Sequence, residues 1–257
     1  YACLANVCLN TGPAADSSGA VDSGPEPAST VPFGPYTAAF VRQWTGPCRD
    51  AHGLAENGAY LWCGDDLQHM FYRFLPGASQ HSATCAYGST NSVSAMTFDP
   101  SAGRVVALMS NYDLVQLISG SSAQVLSNLK NQLALAADGV DLLAFSGGTV
   151  SRIHSTEFGT KAVFNLSGAC VPGTATSSHI FRYCGASGAT GQKKLRFHID
   201  QILGQTSTAE MYPADLTPGL NDVTGITVSV QNKRLFITGN PVISGTFSAI
   251  FEYALAP

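Results

Sequence analysis

The sequence predicts an all-β protein built as a β-propeller, and three observations support this prediction. A cysteine motif occurs twice, about 120 residues apart, as Gly46–Cys48 with Trp62–Gly64 and again as Gly168–Cys170 with Tyr183–Gly185. From Tyr36 onward, short segments alternate polar and apolar residues and are separated by Gly, Asn, Asp and Pro, which is typical of strands and turns. Equivalent strands recur about every 44 residues, the length of a four-stranded blade.

The first 35 residues differ from the rest of the chain. The run from Thr11 to Thr30 is rich in Ser, Pro and Gly and contains almost nothing that could be buried. We therefore predict two regions, an extended cysteine-containing tail over residues 1–35 and a propeller over residues 36–257. A tail of this composition becomes ordered only on a surface, and we expect a neighbouring copy of the protein to provide it.

Five repeats can be aligned after the tail, each with a pair of strands joined by a turn. In the first and third repeats, Asn57-Gly58 and Asp138-Gly139 predict tight hairpin turns, in which glycine supplies the positive φ. The strand pairs lie at 52–62, 92–109, 132–145, 170–183 and 222–238. These repeats predict five four-stranded blades, or six if a degenerate blade lies within residues 200–222.

One strand lies outside this repeat pattern. The segment from Thr37 to Trp44 precedes the first repeat, whereas the last repeat reaches Pro257 after only three strands. If Thr37–Trp44 becomes the outer strand of the last blade, the ring closes and an exposed sheet edge is removed. We therefore predict closure by this N-terminal strand.

The first repeat resembles the blade unit of NHL and related YVTN-type propellers. The likeness lies in Phe40–Trp44, which matches an outer strand, and in His52–Ala55 and Ala59–Trp62, which match the inner strands. This resemblance implies a propeller fold. It implies no single activity, because the family includes recognition modules, scaffolds and a minority of enzymes.

Composition excludes several classes of partner. Only 12% of the 257 residues are charged, the net charge is −4, and the few Lys and Arg residues form no basic stripe for nucleic acid. No apolar run approaches the roughly 20 residues of a membrane-spanning helix. The seven cysteines favour an oxidising compartment, so we expect a secreted or cell-surface protein that is read here after removal of its signal peptide.

The cysteines are predicted to be structural. Cys48 with Cys63, and Cys170 with Cys184, occupy equivalent places in two repeats, and each pair closes a short loop. Cys3 and Cys8 are close enough to form a third disulfide. Because no short Cys-x-x-Cys spacing is present, we predict no metal site at these cysteines. No phosphate-binding loop or dinucleotide fingerprint is present either, so we predict no cofactor. Cys85 then remains as a buried free thiol, a bond between chains or a bond to the tail.

A binding site in the central channel is the main alternative to a purely structural role. His52 lies at the start of an inner strand, with Asp50 two residues before it, and the corresponding positions of other repeats hold Ser94, Gln132, Thr174 and Thr224. His52, Asp50 and Gln132 are therefore the candidates for binding in the channel, and no catalytic residue is predicted. Asp65-Asp66 is interpreted as an exposed turn rather than a calcium site.

Three functions remain compatible with the sequence. The first is a non-catalytic exported propeller that serves as a structural or recognition subunit of a cell-surface or extracellular assembly and docks its tail on a neighbouring copy. The second is a propeller hydrolase or lyase acting on a sugar, lactone or peptide, which would need acidic or histidine side chains in the channel. The third is a carbohydrate-binding lectin. The expected partner is another copy of the chain, with a surface glycan or protein as further candidates.

Overall fold

The computed structural model describes residues 2–4, 7–9, 30–33, 35–166, 171–187, 194–201, 209–214, 220–229, 231–241 and 248–257. These residues form 23 strands and no helix. The N-terminal strands are β1 (Ala2–Leu4), β2 (Val7–Leu9), β3 (Thr30–Phe33) and β4 (Tyr36–Thr45). The strands β1 and β2 form a two-stranded hairpin, and all later strands belong to larger sheets.

Four antiparallel sheets have four strands each, in chain order from the channel outwards. Blade one contains β5 (Ala51–Glu56), β6 (Leu61–Asp65), β7 (Met70–Phe74) and β8 (Ala83–Ala86). Blade two contains β9 (Val93–Asp99), β10 (Arg104–Met109), β11 (Asp113–Gln116) and β12 (Gln124–Asn128). Blade three contains β13 (Ala134–Ala137), β14 (Leu142–Ser146), β15 (Thr149–Ile153) and β16 (Thr160–Asn165). Blade four contains β17 (Val171–Ala175), β18 (His179–Ser187), β19 (Lys194–Gln201) and β20 (Ala209–Ala214).

The remaining sheet combines both ends of the chain, and we call it the closing sheet. It contains β21 (Leu220–Ser229), β22 (Arg234–Pro241) and β23 (Ala249–Ala256), followed by β4 and β3. The inner strands β5, β9, β13, β17 and β21 lie side by side in this order, and β21 returns to β5. The five sheets therefore surround one axis as a β-propeller.

The prediction of five or six four-stranded blades is wrong. The ring holds four such blades, and the closing sheet has five strands because β3 pairs with the free edge of β4. The segment in which a sixth blade was sought supplies β20, the outer strand of blade four. Thr30–Phe33, which lies in the predicted tail region, pairs with β4 in the closing sheet.

Closure by the N-terminal strand is confirmed. β4 pairs antiparallel with β23, from Thr37 opposite Ala256 to Thr45 opposite Ala249. The side chains of Arg42 and Glu252, which lie opposite each other in this pair, form an ion pair with 2.6 Å between Nε and Oε2. Main-chain pairing and this ion pair together join the two ends of the chain.

Strands near the channel are more deeply buried than strands at the outer edges of the blades. Every residue of β13 in the third blade is buried, because an inner strand is covered by a neighbouring blade on each face. The outer strands β12 and β16 are mostly exposed. The second strands β6, β10 and β14 are also buried almost throughout, so they do not show the alternating pattern of a half-exposed strand.

Apolar side chains fill the seams between adjacent sheets. The rings of Phe33 in β3 and Phe181 in blade four stack with their centroids 5.3 Å apart, so β3 contributes to the core as well as to the sheet. Other seams are filled by Trp62, Phe71 and Met96 between blades one and two, by Leu108, Leu135 and Phe145 between blades two and three, and by Leu54, Phe74 and Phe236 between blade one and the closing sheet.

Candidate functional site on blade one

The inner strands carry a β-bulge near the start of each strand. In four of them one extra residue interrupts the register, and these residues are Gly53, Ser94, Gly173 and Thr224. In blade three, Leu133 takes the same place, because its N–H donates to the carbonyl of Phe145, which already pairs with Ala134. Bulges redirect side chains, and here they do so at one mouth of the channel.

Because of this bulge, the residues predicted at equivalent channel positions of the repeats are not all equivalent in the structure. His52 and Gln132 each precede the bulge residue and are equivalent, as predicted. Ser94 and Thr224 are themselves bulge residues, and Thr174 follows one, so these three do not correspond to His52. The misalignment arose because one inserted residue per strand cannot be recognised from hydrophobic periodicity.

The inner strands of neighbouring sheets approach one another closely at two glycines. A Cβ atom placed on Gly53 would lie 2.6 Å from Cγ of Met96 in the next blade, and Gly53 has a φ of 73°. A Cβ atom on Gly173 would overlap the side chain of Ile226 in the closing sheet. Larger side chains at these two positions would therefore disturb the packing between neighbouring sheets.

At this mouth, His52 lies between two carboxylates. Its side chain is 35% exposed, with Nε2 3.3 Å from Oδ1 of Asp50 and Nδ1 3.7 Å from Oδ2 of Asp66. Asp66 is held in place, because its Oδ1 accepts hydrogen bonds from the Tyr87 hydroxyl at 2.9 Å and from the Val93 N–H at 3.0 Å. Burial and the Asp66 carboxylate raise the pKa of Tyr87 well above its usual range, so Tyr87 remains a hydrogen-bond donor.

The structure brings together only part of the predicted site. Asp50 and His52 are in contact, and Asp66 joins them from the β6–β7 turn. Gln132 lies at the equivalent place in blade three, where its Oε1 atom is buried and has no hydrogen-bond partner. In the described part of the chain, no three His, Cys, Asp or Glu side chains are arranged to hold a metal ion.

Asp65 is buried, which corrects the interpretation of Asp65-Asp66 as an exposed turn. Its Oδ2 accepts a hydrogen bond from the N–H of Arg49 at 2.8 Å, and its Oδ1 accepts from the N–H groups of Leu67 at 3.0 Å and Gln68 at 3.1 Å. One carboxylate therefore joins the loop before β5 to the turn after β6. The role of Asp65 is structural.

A polar groove opens beside these two loops, and we call it the blade-one groove. It has a volume of about 440 Å³ and is lined by Pro47, Arg49, Asp65, Gln68, Tyr72, Ser79, Gln80 and His81. The rings of Tyr72 and His81 lie 5.0 Å apart between centroids, at 47° to each other. Burial and the Asp65 carboxylate raise the pKa of Tyr72, and the nearby Arg49 guanidinium partly offsets this rise. None of these groove residues was predicted as a site.

The disulfide between Cys48 and Cys63 is confirmed. Both cysteines are buried, and their bond fixes the loop that carries Arg49 to the strand that carries Asp65. The side chains of the other predicted pairs, Cys3 with Cys8 and Cys170 with Cys184, lie outside the described residues. The backbone of the N-terminal hairpin places Cys3 opposite Cys8, and both pairings remain predictions.

Cys85 is a free thiol and is fully buried between blades one and two. Burial also raises its pKa, which lowers the fraction of reactive thiolate. A disulfide to another chain would require this sulfur at the surface, so the structure favours the buried-thiol alternative over the bond between chains.

We therefore expect Cys85 to resist alkylation in the native protein. Iodoacetamide at pH 8 should modify it at least about 100-fold more slowly than in denaturant, because modification needs local opening of the blade. Peptide mass spectrometry of the labelled protein measures this ratio, and C85S serves as the control for assignment. Equally fast labelling in both states would contradict the buried position.

Comparisons with known proteins identify the fold and no family. No family model matches the sequence, and no curated protein matches it significantly. Among solved structures, glutaminyl cyclase from Myxococcus xanthus is 15% identical, with a TM-score of 0.58 over 85% of this chain and 96% of that chain. The Pan2 WD40 domain from Neurospora crassa is 11% identical, with a TM-score of 0.51 over 84% of this chain and 95% of that chain.

These two similarities support the propeller fold. One of the two proteins is an enzyme and the other is a WD40 domain. At this level of sequence identity, the function of neither protein can be assigned to this chain. Membership of the NHL or YVTN group stays a prediction. In the described residues, no helix is long and apolar enough to cross a membrane.

Proposed function

We propose that this protein is a non-catalytic, exported structural or recognition subunit of a cell-surface or extracellular assembly, and that it docks its N-terminal hairpin on a neighbouring copy. The observation that carries the proposal is the pairing of β1 and β2, which pair with each other and with none of the propeller sheets in the described part of the chain. A two-stranded sheet alone is at best marginally stable in water. The hairpin therefore gains stability from an additional strand or surface.

The position of β3 places Thr30 at the outside of the propeller. β3 is the fifth strand of the closing sheet, at its outer edge, and Thr30 is its first residue. Between Leu9 and Thr30 the sequence has 20 residues, which span up to about 70 Å when extended. A hairpin on a tether of this reach can contact a second copy.

The outer edges of blades two and three are suitable receiving surfaces. Within the described residues, β12 and β16 each pair with a strand on one side only. Val125 in β12 and Val163 in β16 are 58% and 55% exposed, so each edge offers an apolar side chain next to free main-chain groups. Open edges of this kind accept an added strand.

The buried disulfide supports the export part of the proposal. Structural disulfides such as Cys48–Cys63 persist in oxidising environments and are rare in reducing cytosol. The alternatives of a hydrolase or lyase, and of a lectin with one site per blade, remain predictions from the sequence.

Sedimentation velocity of the full chain and of a chain that begins at Thr30 tests the docking of the hairpin. We expect the full chain to form larger species as its concentration rises, and the shortened chain to sediment as a monomer. An oxidised peptide of residues 1–29, added in excess, should dissociate the full-chain species, whereas a scrambled peptide of the same composition should not.

Circular dichroism of both chains controls for loss of the propeller. If the full chain remains a monomer throughout the micromolar range, self-association is wrong. If both chains associate equally, the N-terminal hairpin is not the docking element.

A further inference from the structure

We infer that the blade-one groove is a binding site for a single uncharged pyranose unit of a glycan. This inference is independent of self-association, because it rests on the geometry of Arg49, Gln68, Tyr72 and His81 rather than on the N-terminal hairpin. It also differs from a lectin with one site per blade, since the groove is formed by loops that belong to blade one alone.

The groove is large enough for a small ligand. Its volume of about 440 Å³ lies within the range of about 300–1,000 Å³ typical of small-molecule sites. It has one aromatic wall, formed by Tyr72 with His81 against it at 5.0 Å between ring centroids. An aromatic ring offers a flat apolar surface with a polar group at its edge, which suits the C–H face of a sugar ring.

The remaining wall carries polar side chains that can form hydrogen bonds with the hydroxyl groups of a sugar. Arg49, Gln68 and Gln80 are exposed side chains that line the groove, together with Ser79. An amide both donates and accepts hydrogen bonds, and so does each hydroxyl of a pyranose. The two groups therefore satisfy each other in either orientation, which a purely cationic or purely anionic surface would not do.

The groove contains one side chain of each charge, and the two signs are compatible with an uncharged ligand. Arg49 contributes a positive charge, and the Asp65 carboxylate below it contributes a negative one. The oxygens of Asp65 already accept three main-chain hydrogen bonds, so they stay in place when a ligand binds. The two opposite charges offset each other, so these side chains do not require a ligand with a net charge.

The groove is rigid on the side that presents these groups. The backbone of Arg49 is fixed by its hydrogen bond to Asp65 and by the disulfide at Cys48, and the same carboxylate holds the backbone of Gln68. A backbone that is held before binding does not have to be ordered when the ligand arrives.

Saturation-transfer NMR with the full chain tests the inference. The probes are the methyl glycosides of glucose, galactose and mannose at about 10 mM, a concentration suited to millimolar affinity. We expect transfer to the ring protons of at least one glycoside. Y72A should weaken its binding at least about tenfold, whereas Y72F, which keeps the aromatic surface, should stay within about threefold of the wild type.

Y60A is the matched control, since Tyr60 is an aromatic residue outside the groove that packs under Arg73. It should leave the transfer unchanged. If no glycoside receives saturation, or if Y72A and Y60A behave alike, the inference is wrong. A neutral tripeptide tested at the same concentration separates the ligand classes, because Tyr72-dependent transfer to the peptide instead of the sugars would overturn the sugar assignment. None of these outcomes depends on sedimentation of the protein.

Discussion

Replacing Asp65 by alanine is expected to lower the free energy of unfolding by about 3–5 kcal/mol. The buried carboxylate accepts three main-chain hydrogen bonds, from Arg49, Leu67 and Gln68. Hydrogen bonds to charged groups contribute about 1.5–3 kcal/mol each, and the total is below their sum because the loops can partly rehydrate. Urea unfolding followed by circular dichroism measures this change.

Two further variants make the Asp65 test specific. D65N keeps one carbonyl oxygen as an acceptor but places an amide group near donors. We therefore expect D65N to lower the free energy of unfolding, but by less than D65A does. D50A removes an exposed carboxylate from the same region, whose only ion-pair partner in the described residues is His52 at 3.3 Å, and should change stability by less than about 0.5 kcal/mol. A loss below about 1 kcal/mol in D65A would show that the two loops are held by other contacts.

Removing the disulfide in the double variant C48A/C63A is expected to lower stability by about 3 kcal/mol. The bond closes a loop with a sequence separation of 15, and the restriction of the unfolded chain predicts a cost of this size. Both cysteines are buried in the seam between blade one and the closing sheet, so the variant also loses apolar packing. Urea unfolding under oxidising conditions measures the difference.

Reduction of the wild type provides the matched comparison. With a reductant, the urea concentration at the unfolding midpoint of the wild type should move towards that of the double variant. Any further change that the double variant itself shows on reduction would come from another disulfide, and this would test the predicted pairs Cys3–Cys8 and Cys170–Cys184. If C48A/C63A is as stable as the wild type, the bond does not stabilise blade one.

The closure of the ring could be predicted from sequence, because it follows from what an open sheet edge requires. Thr37–Trp44 has the length and apolar content of a strand, and the last repeat lacks one strand. β3 could not be predicted in the same way. Thr30–Phe33 is short, follows a proline-rich run and contains Pro32, which is tolerated in a strand only where its missing N–H faces an edge.

The candidate site was predicted less completely, and the reasons are geometrical. Asp65 and Asp66 are neighbours in sequence and look alike, yet Asp65 is the last residue of β6 and is buried under the loops, whereas Asp66 is the first residue of the following turn and meets His52. The groove combines residues 47–49, 65–72 and 79–81, which belong to three separate loops and strands. No periodic pattern connects these segments, and only the fold brings them together.

The closing sheet also sets the order of events while the chain is being made. The partners Arg42 in β4 and Glu252 in β23 are 210 residues apart, which at about 5–20 residues per second means that β4 is synthesised roughly 10–40 s before its ring-closing partner. During this interval β4 would expose two unpaired edges to other nascent chains. β3 lies only a few residues before β4 and is available to pair with it throughout this interval, so even a marginally stable β3–β4 hairpin would cover one edge for part of the time. The pairing of β3 with β4 would thus reduce edge exposure during synthesis as well as extend the closing sheet of the folded protein.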